Sequence, residues 1–347
     1  MITKEHLNKL ASDCHITAAG IIKTRIFNEL FPVLKKRRNE KRMTAFEEQQ
    51  IQNRINPFLL MPGAATIIVI ITSYHTHPSP TEYEHPKFYG KIAKFARGRD
   101  YHQVLHNQMN QLGKKLKMIK PTFEWQAYAD TGPLIDRYLA AQAGLGIYGR
   151  NNCLIHPKFG SFILIGYMLV NEPFDDSDDK IKKLHPCLEC GNCQRTCPVQ
   201  ALETPFQIDP DRCLSHLLQR REQIPPHLRS QAGLMLYGCD ICQKVCPHNQ
   251  HIPVTKEPDF QSAADELWLD LEMLLQLSGK AFDKRYRSRA FGWRGHKIMQ
   301  RNALMALSHF NEPEAAELIR PFLTHLRPDL REMAQWALNQ HTVKFSE

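Results

Sequence analysis

The run Cys187-Leu188-Glu189-Cys190-Gly191-Asn192-Cys193-Gln194-Arg195-Thr196-Cys197-Pro198 decides how this chain is read. Its spacing is Cys-x2-Cys-x2-Cys-x3-Cys-Pro, the bacterial ferredoxin arrangement, in which the fourth cysteine serves a second cluster. Short spacers let three thiolates reach three irons of one cube, and the longer step with proline carries the chain towards its neighbour. A second set follows at Cys239-x2-Cys242-x3-Cys246-Pro247, with Cys213 upstream. On that logic one [4Fe–4S] cluster takes Cys187, Cys190, Cys193 and Cys246, and the other takes Cys197, Cys213, Cys239 and Cys242. A pair of tetrahedral zinc sites would use the same number of thiolates but does not account for the x2-x2-x3-Pro spacing. Of the ten cysteines, Cys14 and Cys153 stand apart and read as small buried hydrophobes.

Outward from this module the pattern changes on both sides. The stretch Asp175-Asp176-Ser177-Asp178-Asp179-Lys180 reads as an acidic linker. Before it, residues 1 to about 60 read as helical and polar, and Thr66 to Thr72 is a β-branched run that predicts a strand buried on both faces. Residues 100–118 predict a helix and Trp125–Tyr128 a short strand. Ile135–Ala143 predicts a helix stopped by Gly144, and Ser161–Val170 another strand. Alternating strands and helices predict an α/β domain. After Pro253, residues 265–277, 297–309, 314–322 and 329–339 read as helices, stacked as a HEAT-like repeat. The fold class is therefore α+β multidomain: an α/β domain over 1–175, a two-cluster ferredoxin-like module over 176–255 and a helical tail over 256–347.

With 347 residues and 42% hydrophobic side chains, the chain can bury a sizeable core. Its longest apolar stretch, Ala64–Thr72, is too short for the ~20 residues that span a bilayer. The charged N-terminus lacks the apolar run of a secretory signal, so the expectation is a cytoplasmic monomer without membrane association. Dense cysteine in such a chain reads as metal binding rather than disulfides. The formal net charge of +9 favours a polyanionic partner.

Several further motifs carry a resemblance. Arg97-Gly98-Arg99-Asp100-Tyr101-His102, Ala129-Asp130-Thr131-Gly132-Pro133, Ala143-Gly144-Leu145-Gly146, Tyr237-Gly238-Cys239-Asp240-Ile241-Cys242 and Gly292-Trp293-Arg294-Gly295 together resemble the epoxyqueuosine reductases. These are cobalamin-dependent iron–sulfur enzymes of tRNA queuosine synthesis. The likeness runs from about Arg54 to Asn339, in the family's order. It implies a cobalamin-binding domain, the two-cluster module and a helical-repeat tail. The implied activity is two-electron reduction of the epoxide of epoxyqueuosine at the tRNA wobble position. Electrons from an external donor such as a flavodoxin or ferredoxin would pass through the clusters to base-off cobalamin.

Breaking the epoxide calls for a proton, and the resemblance places that acid on Asp130, whose pKa would have to be raised for the task. Without the resemblance, Asp130 reads as a cap of the following helix. The resemblance also puts Arg54, Ser215 and Asp240, together with Asp130 itself, near the corrin. His102 reads as an ordinary structural histidine rather than a cobalt ligand. Two departures stand out: Arg150 where relatives carry Lys, and His248 after Cys246-Pro247. Gly144-x-Gly146 lacks the preceding strand of a dinucleotide loop, so NAD is discounted.

Arg285, Arg287, Arg289, Arg294 and Lys297 stand among Tyr286 and Trp293, a mixture that suits phosphates and unpaired bases of a tRNA loop. The target base must leave its stack to react. The alternative function is a ferredoxin-type electron carrier or complex subunit without catalysis of its own. Reductive dehalogenation is a third reading, disfavoured by the missing export signal.

Overall fold

The computed structural model describes residues 3–76, 85–174, 187, 190–204, 206–261 and 267–344. The acidic stretch 175–180 lies outside them. The described strands are β1 (Ala18–Lys23), β2 (Thr66–Ser73), β3 (Tyr89–Ile92), β4 (Trp125–Ala129), β5 (Ile147–Tyr148), β6 (Leu154–Ile155), β7 (Ile163–Val170), β8 (Met235–Tyr237) and β9 (Leu269–Asp270).

The principal sheet has the order β1-β2-β7-β4. Strand β2 is buried at every position, and its period of two divides it between two cores. Ile68 and Ile70 join Leu105, Met109, Leu112 and Leu116 of the helix Tyr101–Ile119. Ile67, Val69 and Ile71 join Tyr138 and Leu139 of the helix Asp136–Gln142. The two-sided burial expected from the β-branched run is therefore present. Every pairing in this sheet, however, is antiparallel, which corrects the α/β assignment: the layout is α+β. A continuous apolar run reports that both faces are covered, and says nothing about strand direction.

The N-terminal segment also differs from its helical reading. It begins with a helix, Lys4–Ser12, and then supplies the edge strand β1, whose Ile21 and Ile22 are each 4% exposed. The helix Asp136–Gln142 ends as expected, with Gly144 at φ 77° and backbone bonds from Gly144 and Leu145 to Ala141 and Ala140.

A smaller sheet, in the order β8-β3-β9, joins three distant parts of the chain. Strand β3 pairs parallel with β8, just before Cys239, and antiparallel with β9, at the start of the tail. Gly238 follows at φ 65°, and a Cβ there would meet Phe95 at 2.5 Å. This close approach sets the cysteine module against the 93–96 turn.

The tail contains the helices Leu271–Gln276, Gly279–Tyr286, His296–Leu307, Pro313–Ile319 and Pro328–Lys344. Gly279–Tyr286 falls between the predicted segments. The helix His296–Leu307 is central, being buried from Ile298 to Leu307. Two of its polar residues grip the cysteine module. Arg301 donates to the carbonyls of Arg220 (3.0 Å), Glu222 (2.7 Å) and Leu217 (3.2 Å). Asn302 donates to those of Leu218 and Leu236, both at 2.8 Å. Among the described residues no helix is long and apolar enough to cross a membrane.

Arg301 is 1% exposed, so removing its guanidinium orphans several buried carbonyls at once. Arg301→Leu is expected to lower the unfolding free energy by about 3 kcal/mol. The readout is a lower urea midpoint at unchanged slope; an unmoved midpoint contradicts the role.

Candidate active site and cysteine cavities

Two cavities lie side by side in the cysteine module. The first is lined by Cys187, Cys190, Cys193 and Cys246, together with Gly149, Asn151 and His248. The second is lined by Cys197, Cys213, Cys239 and Cys242, with Val199, Leu202, Ile208 and Ile241 around them. The partition is the interleaved one: Cys197 leaves its own run for the second cavity, and Cys246 returns to the first. Short helices, Asn192–Arg195, Leu214–Leu217 and Ile241–Lys244, carry or flank the thiols.

Among the described residues, no group of three or more His, Cys, Asp or Glu side chains is set to hold a single metal ion; the thiols surround volumes instead. Backbone N–H groups already point at two of the sulfurs, Arg150 at Cys187 Sγ and Ala201 at Cys197 Sγ, both at 3.3 Å. Burial pushes the Cys193 and Cys213 thiols up to about 11 and the Cys239 thiol to about 12. Taking up iron must therefore release protons. Asn151 is 5% exposed, and its side-chain N–H₂ has no hydrogen-bond partner among the described residues. A buried donor beside a thiol-lined space fits a sulfur-rich cluster, whose sulfurs can accept from it.

Asp130 stands in the turn after β4. It has left-handed backbone at φ 57°, and its side chain is 61% exposed. It does not cap the next helix, which starts at Asp136 with Ile135 at its N-cap. The carboxylate accepts from the Tyr101 hydroxyl, and His102 Nε2 lies 3.5 Å from it. The other ring nitrogen of His102, Nδ1, is 2.7 Å from Asp100. Asp100 also caps the helix Tyr101–Ile119, so one helix N-terminus orients the whole group.

The electrostatics correct the expectation of a raised Asp130. The protein crowded around the turn partly desolvates its carboxyl and pushes it up, but the hydrogen bonds from His102 and Tyr101 and the charge of His102 outweigh this and hold the group below the ordinary range. Burial disfavours the His102 imidazolium, yet hydrogen bonds to Asp100 and Asp130 lift its pKa to about 9. At neutral pH the proton of this pair rests on His102. Both ring nitrogens of His102 are thus engaged by carboxylates. Asp136, a carboxyl that the sequence reading passed over, is pushed well above its usual value, first by burial and then by the charge of Asp130.

Aromatic rings connect this acid group to the second cavity. Tyr101 lies 6.2 Å from Phe95, and Phe95 lies 6.1 Å from Tyr237. Tyr237 is two residues before Cys239, and its hydroxyl accepts from Trp293 Nε1 at 2.7 Å.

The other sequence-predicted residues are placed as follows. Arg54 is buried and paired with Glu47, which also takes Arg37 at 3.0 Å. Asp240, 1% exposed, accepts from Lys94 N–H at 3.1 Å and pairs with Lys244 at 2.8 Å, fastening the 93–96 turn to the cysteine module. Ser215 is half-buried beside Cys213. Among the described residues, no hydrogen bond or ion pair joins Arg54, Ser215 or Asp240 to Asp130. Arg285, Arg287 and Lys297 are exposed and Arg289 is half-buried. Ser288, inside that basic run, accepts the backbone N–H of Asp100 at 2.7 Å, so the basic turn borders the acid site. Arg294 is packed between Trp293 (4.4 Å) and Phe46 (5.0 Å) and donates to Gln219 O at 2.5 Å. Phe46, 43% exposed, and Trp293, 52% exposed, form an aromatic surface that the sequence reading found only in part, because the two are far apart along the chain.

Cys14 is buried, and burial raises its thiol. Cys153 is half-buried, with Asn151 O 3.9 Å from its thiol.

The family model described as "4Fe-4S double cluster binding domain" matches residues 186–249. With eight thiols ringing two cavities there, the fold and site define an iron–sulfur oxidoreductase. The model "Epoxyqueuosine reductase QueG, DUF1730" matches residues 54–131. An epoxyqueuosine reductase of Staphylococcus aureus is 35% identical over 340 residues, covering 97% of this chain and 88% of its own. The epoxyqueuosine reductase structure from Streptococcus thermophilus superposes with a TM-score of 0.90 at 29% identity, covering 99% of this chain and 91% of that one. An epoxyqueuosine reductase crystallised with an epoxyqueuosine-modified tRNA-Tyr stem loop matches at TM-score 0.89 and 30% identity, covering 97% of this chain and 90% of that one. The chain belongs to the epoxyqueuosine reductase family.

The His102 shift carries a sign. A histidine raised from ~6.5 to about 9 contributes stability in full below its unfolded value and loses it as pH rises through about 9. In ¹³C-histidine NMR the His102 ring is expected to titrate near 9, and to fall towards ~6.5 in Asp130→Asn. A wild-type midpoint near 6.5 contradicts the pairing.

Proposed function

We propose that this chain reduces the epoxide of epoxyqueuosine at the tRNA wobble position, giving queuosine, with Asp130 delivering the proton. The reaction consumes two electrons and two protons, and the epoxide oxygen leaves as water. The observation that carries the reading is the run of rings from Tyr237, two residues before Cys239, through Phe95 to Tyr101, whose hydroxyl donates to Asp130. A pure electron carrier has no use for an acid group at the end of such a path.

The cysteine partition supports two [4Fe–4S] clusters, one on Cys187, Cys190, Cys193 and Cys246, the other on Cys197, Cys213, Cys239 and Cys242. An external donor, a flavodoxin or ferredoxin, would load the first. Family membership suggests that cobalamin, held base-off, would supply the reducing power for C–O cleavage when bound. His102, with both ring nitrogens engaged by Asp100 and Asp130, would serve the proton supply rather than hold that group. Arg54 and Asp240 are committed to Glu47 and to Lys94 and Lys244, so of the residues first assigned to the corrin, Asp130 and Ser215 remain the better candidates.

Protons follow the hydrogen bonds. Asp130 faces outward, and as negative charge develops on the epoxide oxygen the proton held on His102 can pass through Asp130 Oδ2 to it. Asp100 holds the ring in place, and Tyr101 steadies the carboxylate. The low Asp130 value is thus an attribute of the pair: the acid in store is the imidazolium.

We assign three working parts: 1–175 bears the acid, 176–255 conducts, and the helical tail, 256–347, read as HEAT-like, presents the basic turn. Arg285, Arg287, Arg289 and Lys297 would meet phosphates, while Trp293 and Phe46, stiffened by Arg294, would stack on unpaired bases.

Asp130→Asn is expected to cut turnover by roughly 10²- to 10⁴-fold while leaving binding of epoxyqueuosine tRNA intact; turnover near wild type moves the acid elsewhere. Replacing Arg285, Arg287 and Arg289 together by Ala should weaken tRNA binding and flatten its salt slope by ~0.7 for each phosphate that is no longer neutralised. An unchanged gel-shift titration refutes that assignment.

A further inference from the structure

Between Lys35 and Arg42 stand six cations and one acid, Glu40. They belong to the helix Phe31–Asn39 and the turn that ends it. The inner face is spent on the fold: Leu34 is buried, and Arg37 donates to Arg42 O at 3.1 Å and to Glu47 at 3.0 Å. Lys35, Lys36, Arg38 and Lys41 are exposed. Glu40 is shared by Lys36 at 3.8 Å and Arg42 at 3.6 Å, and the side chains of Lys35 and Lys41 have no hydrogen bond or ion pair among the described residues. Lys41 has φ 55°, the left-handed position after a helix where glycine is usual. A helix C-terminus carries only about half a negative charge, which Arg37 already meets at Arg42 O. The lysines beyond it crowd like charge onto one helix end, at a cost in stability unless a polyanion neutralises it. This end is also strapped to the aromatic surface described above. Arg42 donates to Gln207 Oε1 of the cysteine module at 3.0 Å. Four residues on, Phe46 lies 5.3 Å from His216 and 6.2 Å from Trp293. Trp293 in turn donates to Tyr237, the first ring of the path to Asp130. Followed outward from the Asp130 group, the basic run comes one contact after that surface.

We propose that Lys35, Lys36, Arg38 and Lys41 bind the phosphate backbone of the base-paired stem that carries the wobble loop. The inference rests on the tRNA reading above. The side chains divide the work. The stretch 284–297 mixes cations with Tyr286 and Trp293, and unpaired bases can stack on such rings. No aromatic residue stands between Lys35 and Arg42, so this run can hold phosphates but offers a base nothing to stack on. A base-paired stem presents its phosphates outward and keeps its base faces stacked, which bare cations match. With the loop held at the rings and the stem at this run, the RNA is fixed in orientation as well as in position.

The test is a salt titration of RNA binding by the full chain, read by fluorescence anisotropy. Two RNAs are compared: the complete anticodon stem-loop, and a single strand with the loop sequence alone. Lys35→Gln, Lys36→Gln and Lys41→Gln combined should flatten the log–log salt slope for the stem-loop by ~0.9 for each duplex phosphate no longer neutralised. Binding of the single strand should stay at the wild-type level. Changing the same three lysines to Arg should keep the wild-type slope, because the charge is kept. The thermal midpoint of the Gln variant should hold or rise, as relief of like-charge repulsion requires. An unchanged stem-loop slope, or an equal loss on the single strand, overturns the proposal. So does a fall in midpoint that accompanies the lost affinity, which would make the run structural. Loss of binding to vesicles of anionic phospholipid with RNA binding intact overturns it too. Wild-type protein that binds neither RNA would instead sink the tRNA reading itself.

Discussion

Eight thiols must converge on two adjoining volumes, and the rest of the structure serves that requirement. Because Cys197 and Cys246 cross between the cavities, neither site can be completed without the other. Among its described residues the module has only short helices and little regular structure of its own, so its shape must be imposed from outside. The sheet β8-β3-β9 does this on one side, and Arg301 and Asn302 do it from the tail by taking up carbonyls around the helix Leu214–Leu217. Buried thiols held protonated gain nothing from proximity. Metal binding supplies the free energy that fixes them, and it does so only at the cost of their protons.

The acid group obeys a related constraint. A carboxylate beside an imidazolium gives up its own proton affinity so that the histidine can hold a proton well above neutral pH. Asp100 makes this possible by binding Nδ1 while capping the helix from which His102 projects. The group is therefore one unit with one stored proton, placed at the far end of an aromatic path from the second cavity. In the proposed reaction, electron supply and proton supply would meet at the same turn of chain; the basic run at 284–289 is tied to that turn through Ser288 and Asp100.

Much of this was legible in the sequence, for reasons that differ by residue. The cysteine partition follows from spacing alone, since x2 and x3 steps are chemical rulers. The burial of β2 was legible from Thr66 to Thr72, but its antiparallel partners were not, because pairing direction depends on connections. Strand β1 was missed because Ala18-Ala19-Gly20 has weak strand preference, and its place at the sheet edge is set by β2. The lowered Asp130 depends on His102, which a helix brings in from an earlier part of the chain, and on where burial leaves the proton. Phe46 meets Trp293 only once the chain is folded. Arg54 and Asp240 carry family positions, yet their charges are spent on Glu47, Lys94 and Lys244.

The most direct test of the central claim is metal and sulfide analysis with Mössbauer spectroscopy on protein purified and reconstituted without oxygen. The account predicts two [4Fe–4S] clusters per chain, with equal iron and acid-labile sulfide and no zinc. Zinc in place of iron, or a single cluster per chain with the remaining thiols free, would contradict it.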